Sequence, residues 1–459
     1  MNEIQELKPI SSNNRLYGVI TFSWMMFSMN VCIPLFFLGT IGYNLGLNPL
    51  EVALGALLGN LATVVVMILN GVPGVKYGIP YPIQLRPSWG LKGSHIPVIL
   101  RGIVGAGWYG IEAYSASLAI LMIILAITSH GKMEPSIIVQ NSFKYVVFVV
   151  ALYVVLASIV VAKGLKTIAK FVNISGPFLL LYFIWLTIYL AGRNNVNTSI
   201  PSGVGLLSKE FALYLAVQTN FWATVALNIS DLSRGLFADK RGYKALVVGP
   251  LVGIVLTSTI ASVLGYYMSL YTGYSTPQEI ILYAAPGVIA MILGQIFAFL
   301  APFSTDVTAN IPALMNLLVY SLKIRKYKLL LAAIIGFILA PWWAVEKGPD
   351  VVSYVTAFTA NYGILLGPIA GIMIADYYLV RGRNYNFNEL HEDNCYGYKC
   401  FNYAAILTYV LSIIGIYLFS FAVNDVTTVG PLVFPTSISW YLGVILSTVF
   451  YPLLMKIFK

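Results

Sequence analysis

Twelve apolar segments follow one another along this chain, each near or above the ~20 residues a helix needs to cross the hydrocarbon of a bilayer. They fall near 17–43, 51–71, 95–127, 144–162, 171–191, 209–229, 245–271, 286–316, 328–345, 350–378, 402–423 and 434–456. Within lipid every backbone N–H and C=O must find a partner inside the segment, so stretches of this length cross as helices. Composition agrees: 59% of the 459 residues are hydrophobic and 10% are charged, against about 25% charged in a soluble domain. The reading is an all-α polytopic membrane protein with 12 transmembrane helices. The first segment follows a polar tail (1–16), is too long for a signal-peptide core and lacks a cleavage site, so it reads as a true span.

The formal charge of +10 raises the question of nucleic acid, and the distribution answers it. With the N-terminus inside, the 27 lysines and arginines divide 22 to 5 in favour of the inner side. The outer five are Lys132, Lys144, Arg193, Lys209 and Lys347; Arg101 counts with the inner set. This is a positive-inside code that predicts cytoplasmic termini and a multi-pass protein of the cell (plasma) membrane. The basic surplus orients the chain and attracts anionic membrane lipid, and no nucleic-acid partner is expected. Cys32, Cys395 and Cys400 form no disulfide framework; the last two are placed to pair or to bind a metal, but no second ligand pair follows. His95, His130 and His391 are not in ligand spacing. No enzyme motif appears, neither a nucleophile elbow nor a zinc-protease helix nor a phosphate-cradling loop, so the chain reads as no enzyme. With no nucleotide-binding domain, transport would draw on an ion gradient.

Against this background a carboxylate stands where lipid should exclude one. Glu112 lies in the middle of the third segment, and a charge at bilayer depth costs at least ~2.5 kcal/mol on the most lenient scale. It must face a protein interior or a water-filled cavity. Trp108, four positions earlier, shares its helical face. A flat aromatic surface beside a hydrogen-bonding carboxylate suits a flat, polar heterocycle. Trp222, deep in segment 6, is a second platform, whereas Trp342 and Trp343 after Pro341 read as interface anchors.

Segment 1 carries Ser28, Asn30, Cys32 and Pro34 at mid-depth, and segment 6 carries Gln218, Thr219, Asn220 and Asn228. These are the first members of two five-helix blocks, 17–191 and 209–378, with 402–456 supplying two more helices. Paired interruptions of this kind point to the site of a transporter with inverted repeats; the competing reading is a proline kink and polar helix–helix glue. Segment 8 brings Ala301, Ser304 and Thr305 onto one face. A carbonyl freed by Pro302 and two hydroxyls are hard oxygen ligands for sodium, unless the hydroxyls only back-bond within the helix. Asp306 and Asn310 form a further i, i+4 pair, and an intramembrane aspartate invites proton coupling. Asp231 with Arg234, and Asp376 with Arg381, read as ion pairs or gate elements. The stretch 71–82 is too rich in Gly and Pro to be helical throughout.

At these residues the chain resembles the nucleobase:cation symporter-1 family of purine–cytosine, uracil, allantoin and hydantoin permeases. The likeness rests on Gly74–Pro82, Arg86–Gly90, Gly107–Glu112, Asn228–Arg234, Ser304–Asn310 and Ala375–Tyr378 with Arg381. It implies a LeuT-like fold of 5+5 inverted repeats plus two C-terminal helices, working as a monomer. It implies a substrate stacked between Trp108 and Trp222, hydrogen-bonded by Glu112 and Asn310, with Cys32 facing it from segment 1. It maps a cation site, for sodium if sodium couples transport, to the carbonyls of Ser28, Val31 and Ala301 and the hydroxyls of Ser304 and Thr305. Three departures matter. Glu112 replaces a glutamine, and an ionised carboxylate only accepts hydrogen bonds, which favours N–H-rich ligands. Cys32 replaces an amide. Asp306 adds an acid beside the ion face, so Na+ and H+ both stand as coupling ions, with Asp306 and Glu112 as the groups that would carry a proton.

The expected function is therefore a cation-coupled symporter that imports a nucleobase or related heterocycle by alternating access. The other readings are an amino-acid or amine transporter of the same fold, which would need Gly-rich breaks in segments 1 and 6, and a membrane receptor that binds without transporting.

Overall fold

The computed structural model describes residues 7–128, 143–163, 165–193, 199–342, 355, 358–359, 361–390, 395, 397–429, 432–435 and 437–458. His130, His391, Trp343, Lys132 and Lys347 lie outside them. Apart from one two-stranded hairpin, Val426–Val429 with Leu432–Pro435, the regular structure is helical.

Segment 1 becomes two helices, α1 (Val19–Asn30) and α2 (Ile33–Asn44), bent by 58° at the break. The cause is local. Pro34 has no N–H to give the Asn30 carbonyl, and its ring collides with that carbonyl. Val31 and Cys32 leave the helix, and the Cys32 N–H turns to Asn30 O instead. Segment 2 is α3 (Pro49–Tyr77), started by a capping box between Asn48 and Glu51 and ended by Gly78 in the left-handed region (φ 72°). The helix runs six residues beyond the expected end, through Pro73, because the proline is absorbed as an internal kink and Gly78 alone stops the chain. Single helical turns at Tyr81–Gln84 and Arg86–Trp89 complete the connection.

The remaining helices are α4 (His95–Thr128), α5 (Phe143–Ala162), α6 (Leu165–Ala191), α7 (Lys209–Asn228), α8 (Lys240–Pro250), α9 (Thr257–Thr272), α10 (Pro277–Ala284), α11 (Gly287–Thr305), α12 (Ile311–Asn316), α13 (Lys328–Ile338), α14 (Gly363–Ile374), α15 (Tyr403–Ala422) and α16 (Ser439–Ile457). Among the described residues eight helices are long and apolar enough to cross a membrane, and α1 with α2 adds a broken ninth. Segments 5 and 9 contribute shorter apolar helices, Pro177–Ala191 and Lys328–Ile338. Segment 6 is a full 20-residue helix but is not among the eight, because its face is polar.

Two groups of helices emerge from the packing. Segments 1, 2, 6 and 7 (α1–α3 with α7–α9) form one; segments 3, 4, 8 and 9 (α4, α5, α11–α13) form the other. Each partner is five segments from its counterpart, as an inverted repeat requires. Buried amides stitch the first group together. Asn60 donates to Gln218 at 3.0 Å, Gln218 donates to Tyr214 and Ser262, and Asn30 donates to the carbonyls of Gly253 and Ile254. Polar glue is therefore the right account of Asn30 and Gln218. The expected interruption of segment 6 is not found. Helix α7 is continuous to Asn228, since it holds no proline and Gln218 bonds to other side chains, while Thr219 back-bonds to the Leu215 carbonyl without breaking the ladder.

One face of the bundle carries both chain ends: Ile10 N–H bonds Gly78 O, and Lys399 bonds Phe458 O. Cys395 and Cys400 are joined in a disulfide on this terminal face. Asp376 and Arg381 form the expected ion pair there at 3.0 Å, with Tyr451 donating to the same carboxylate.

Helices α2 and α9 meet through glycine. A Cβ at Gly39 would strike the Ser262 carbonyl, and one at Gly265 the Phe36 carbonyl. Gly39→Ala or Gly265→Ala should each cost about 1–3 kcal/mol or more, the usual price of overpacking a rigid contact. The measurement is the apparent melting temperature in detergent, with Gly205→Ala, where nothing lies within 4 Å but φ is positive, as a milder comparison.

Candidate functional site

Trp108 and Glu112 rise from one face of α4, Phe221, Trp222, Thr224 and Val225 from α7, and Thr305, Ala309 and Asn310 from the end of α11 and the turn that follows. Together they wall one cavity between the two helix groups. The segment after α11 widens into a π-helix over Asp306–Asn310. Pro312 cannot donate to the Thr308 carbonyl and would clash with it, so the ladder lengthens just before it. Trp108, Glu112, Trp222 and Asn310 are all less than 5% exposed. The space left between them, about 10 Å³, is the size of one water and far below that of a heterocycle.

The two indoles do not stack. The Phe221 ring lies edge-on to both, with centroids 5.2 Å from Trp108 and 5.2 Å from Trp222. A flat ligand entering between the indoles must displace this phenyl ring. Nothing in the sequence singled out Phe221 except its place beside Trp222. Neither oxygen of Glu112 makes a conventional hydrogen bond, and the indole N–H of Trp222 is likewise unmet. The Cys32 thiol and the Asp306 carboxyl are the groups that approach Glu112. Cys32 is fully buried at the α1–α2 break but is not one of the cavity walls. A carboxyl that faces a cavity with only a weak thiol donor beside it is a place where a ligand would supply donors.

Beside this cavity lies the oxygen cluster of the expected cation site. The break at Pro34 deprives the Ser28 and Met29 carbonyls of their helical partners. Ser304 donates to Ser28 O at 2.7 Å and also lies 2.8 Å from Ala301 O; Thr305 donates to Met29 O at 2.8 Å. Ser28, Ala301 and Ser304 are thus brought together. Thr305 engages Met29 instead of Val31, because its hydroxyl faces the last turn of α1, while Val31 sits buried in the break. Ser304 has one proton for two carbonyls, so three oxygens converge where only one hydrogen bond can form at a time. Thr305 is also a wall of the larger cavity, which ties the two places together.

Asp306 is satisfied on both oxygens. Tyr153 donates to one at 2.8 Å and Asn310 to the other at 2.8 Å. Tyr153, on α5, carried no sequence signal, since its role depends on a helix far along the chain.

Arg101 corrects the charge count. It is 1% exposed and lies inside the bundle, two turns from Trp108. Its Nε donates to Thr224 O (2.9 Å) and to Asn228 Oδ1 (3.0 Å). It therefore ties α4 to α7 beneath the cavity. Asp231 does not pair side chain to side chain with Arg234, which reaches its backbone carbonyl (3.3 Å) instead. The Asp231 carboxylate accepts from Tyr81 N–H, Asn228 and Asn316, a gate-like tie between the Tyr81–Gln84 turn, α7 and α12. Beside it a vestibule of about 280 Å³ opens, lined by Tyr17, Met25, Asp231, Val307 and Thr308 among others. On the opposite face α10 covers the site: Gln278 donates to the Ser115 carbonyl at 3.0 Å, one turn beyond Glu112.

A family described as permeases for cytosine/purines, uracil, thiamine and allantoin matches residues 9–443. The chain belongs to this family. The permease is similar to the purine-uracil permease NCS1 of Arabidopsis thaliana, 28% identical over 89% of this chain and 70% of that protein. It is similar to the allantoin permease of Bacillus subtilis at 27% identity, over 99% and 93% of the two chains. Among solved structures, Mhp1, a nucleobase-cation-symport-1 family transporter in a closed conformation with bromovinylhydantoin bound, superposes with a TM-score of 0.79 at 19% identity, covering 99% of this chain and 95% of that one. The permease thus has the LeuT-like fold of two inverted five-helix repeats plus two helices, and it is a multi-pass membrane protein.

If Arg101 holds α4 against α7, Arg101→Gln should loosen the floor of the cavity. In detergent, a cysteine placed at Ala309 in a background lacking Cys32, Cys395 and Cys400 should react with a polar maleimide about tenfold faster, the worth of one charge-assisted hydrogen bond. Equal rates would leave Arg101 with no part in closing the site.

Proposed function

We propose that this permease is a cation-coupled symporter that imports a nucleobase or a related planar nitrogen heterocycle across the cell membrane by alternating access. The observation that carries the reading is the convergence of Trp108, Trp222, Asn310 and a Glu112 without a conventional donor on one small cavity, next to the oxygen cluster at the α1 break. Trp108 and Trp222 would hold the ring faces once Phe221 swings aside. Glu112 and Asn310 would meet its polar edge, and Cys32 would approach from α1. The names of the relatives, purine-uracil and allantoin permeases, agree with a ligand of this class.

The coupling ion would act at the α1–α11 contact. A sodium ion accepts oxygen ligands without needing a proton from any of them. It would satisfy the carbonyls of Ser28, Val31 and Ala301 and the hydroxyls of Ser304 and Thr305 together, where the Ser304 proton serves one carbonyl at a time. That shell would lock the broken segment of the first helix group to the second group and order the Thr305 wall of the substrate cavity. Coupling by a proton would instead use Asp306 or Glu112. Asp306, held by Tyr153 and Asn310, already has two strong donors; Glu112 has only the Cys32 thiol beside it.

The permease would work as a monomer, with repeats at 17–191 and 209–378. Its terminal face would lie in the cytoplasm, as a 21-to-5 charge distribution, with the buried Arg101 left out, favours. The vestibule beside Asp231 would then be the inner route to the site. The amino-acid transporter reading loses ground, because an unbroken α7 offers no exposed backbone N–H groups for a carboxylate.

The test is uptake of labelled adenine, guanine, cytosine, uracil, allantoin and thiamine into proteoliposomes under imposed sodium or proton gradients. Accumulation of at least one, abolished in Trp108→Ala, is expected; no gradient-driven uptake of any would defeat the proposal. Ser304→Ala with Thr305→Ala should remove sodium dependence of uptake and of ligand-induced thermal stabilisation. Sodium dependence that survives both changes would move the ion elsewhere. Glu112→Gln keeps the volume but supplies a donor as well as an acceptor; it should lower affinity for the preferred ligand about tenfold, the scale of one charge-assisted hydrogen bond.

A further inference from the structure

We propose that Asp306 and Tyr153 set the polarity of Asn310, turning its carbonyl oxygen toward the substrate so that the site selects heterocycles whose edge presents adjacent N–H donors. The inference rests on the substrate site described above and deepens it. Neither Asp306 nor Tyr153 is a wall of the cavity; both act through Asn310 as positioning residues.

The chain of donors has one direction. Tyr153 is fully buried and its ring is held edge-on by Phe299 and Phe303, with centroids at 5.9 and 5.4 Å. Its hydroxyl donates to Asp306 Oδ2 at 2.8 Å. Asp306 is itself fully buried, and Oδ1 accepts from Asn310 Nδ2 at 2.8 Å. An ionised carboxylate can only accept, so Asp306 in that form takes the nitrogen end of the Asn310 amide. Asn310 does line the cavity, and with Nδ2 turned to Asp306 its acceptor Oδ1 is turned away from the acid, with the second N–H beside it. The other partner for a ligand edge is the Glu112 carboxyl, whose two oxygens have no conventional donor. The cavity therefore faces a ligand edge with acceptors from two sides. A ring N–H next to an exocyclic amine satisfies them; a carbonyl oxygen at the same place meets another oxygen. An asparagine with a free rotor would accommodate either.

Exchanging the acid for an amide reverses the chain. In Asp306→Asn the Tyr153 hydroxyl still donates to the side-chain oxygen at 306, which leaves an NH2 group facing Asn310. Asn310 must then turn its oxygen toward 306 and its nitrogen into the cavity. In the double variant Asp306→Asn/Asn310→Asp an acceptor again faces the ligand, with the charge of the pair retained.

The experiment is equilibrium binding to the purified full-length permease, followed by tryptophan fluorescence, with three pairs in which a carbonyl replaces an amine beside a ring N–H: guanine and xanthine, 8-azaguanine and 8-azaxanthine, isocytosine and uracil. The expected result is an amine preference in the parent protein that falls about tenfold in Asp306→Asn, one hydrogen bond exchanged for a like–like contact, and returns in the double variant. The ratio between pair members is the readout, because a merely structural loss weakens both alike. A parent without amine preference, an unchanged ratio in Asp306→Asn, or a double variant that folds without the parental ratio would overturn the proposal. If the single variant does not fold, the double variant alone decides. Parent protein that binds none of the six ligands would defeat the site assignment itself, a distinct outcome.

Discussion

The contact on which the site depends is the one between the broken first segment and α11. Pro34 forces the break, and the break strips the Ser28 and Met29 carbonyls of their helical partners. In lipid such groups cannot turn to water. Ser304 and Thr305 supply the missing bonds at 2.7 and 2.8 Å, from a helix almost three hundred residues away in sequence and in the other helix group. The same two hydroxyls and carbonyls are the oxygens a hard cation would use. A single backbone defect therefore joins the two helix groups, and a cation bound there would act on that joint.

The rest of the polar inventory divides by whether it is satisfied. Asn30, Asn60, Gln218 and Ser262 bond to one another or to backbone and hold the first helix group as a unit. Glu112 and the Trp222 indole N–H are unmet at the cavity. At the cavity such unmet atoms are where a ligand would supply partners. Arg101 shows the intermediate case. It is a buried cation without a described carboxylate partner, held by the Thr224 carbonyl and the Asn228 amide oxygen, and it crosses the interface that alternating access must shear.

Much of the architecture was legible beforehand because lipid imposes a one-dimensional code: length, apolarity and flanking charge mark each span. Glu112, Trp108, Trp222 and Asn310 were legible because polar or aromatic groups at mid-depth break that code. Other elements were not. The pattern of Gln218, Thr219 and Asn220 suggested an interrupted segment 6, yet α7 is unbroken, with Gln218 and Thr219 finding partners on α3, α9 and α16. Arg101 read as an interfacial charge since it stands near the start of its segment. Phe221 and Tyr153 are ordinary aromatic residues in apolar runs, and their roles exist only through partners on distant helices.

The sequence by itself determined that this chain is a polytopic helical membrane protein, which segments are its spans, and where a proline must break the first of them. Those are consequences of local chemistry, since transfer to lipid and backbone sterics act on each segment alone. The tertiary structure decided which hydroxyls meet the carbonyls freed by that break, which phenyl ring stands against the two indoles, and that the Asn310 amide is held by Asp306 and Tyr153. These are relations between side chains brought within 3–6 Å by helix packing, and no property of either residue taken separately contains them.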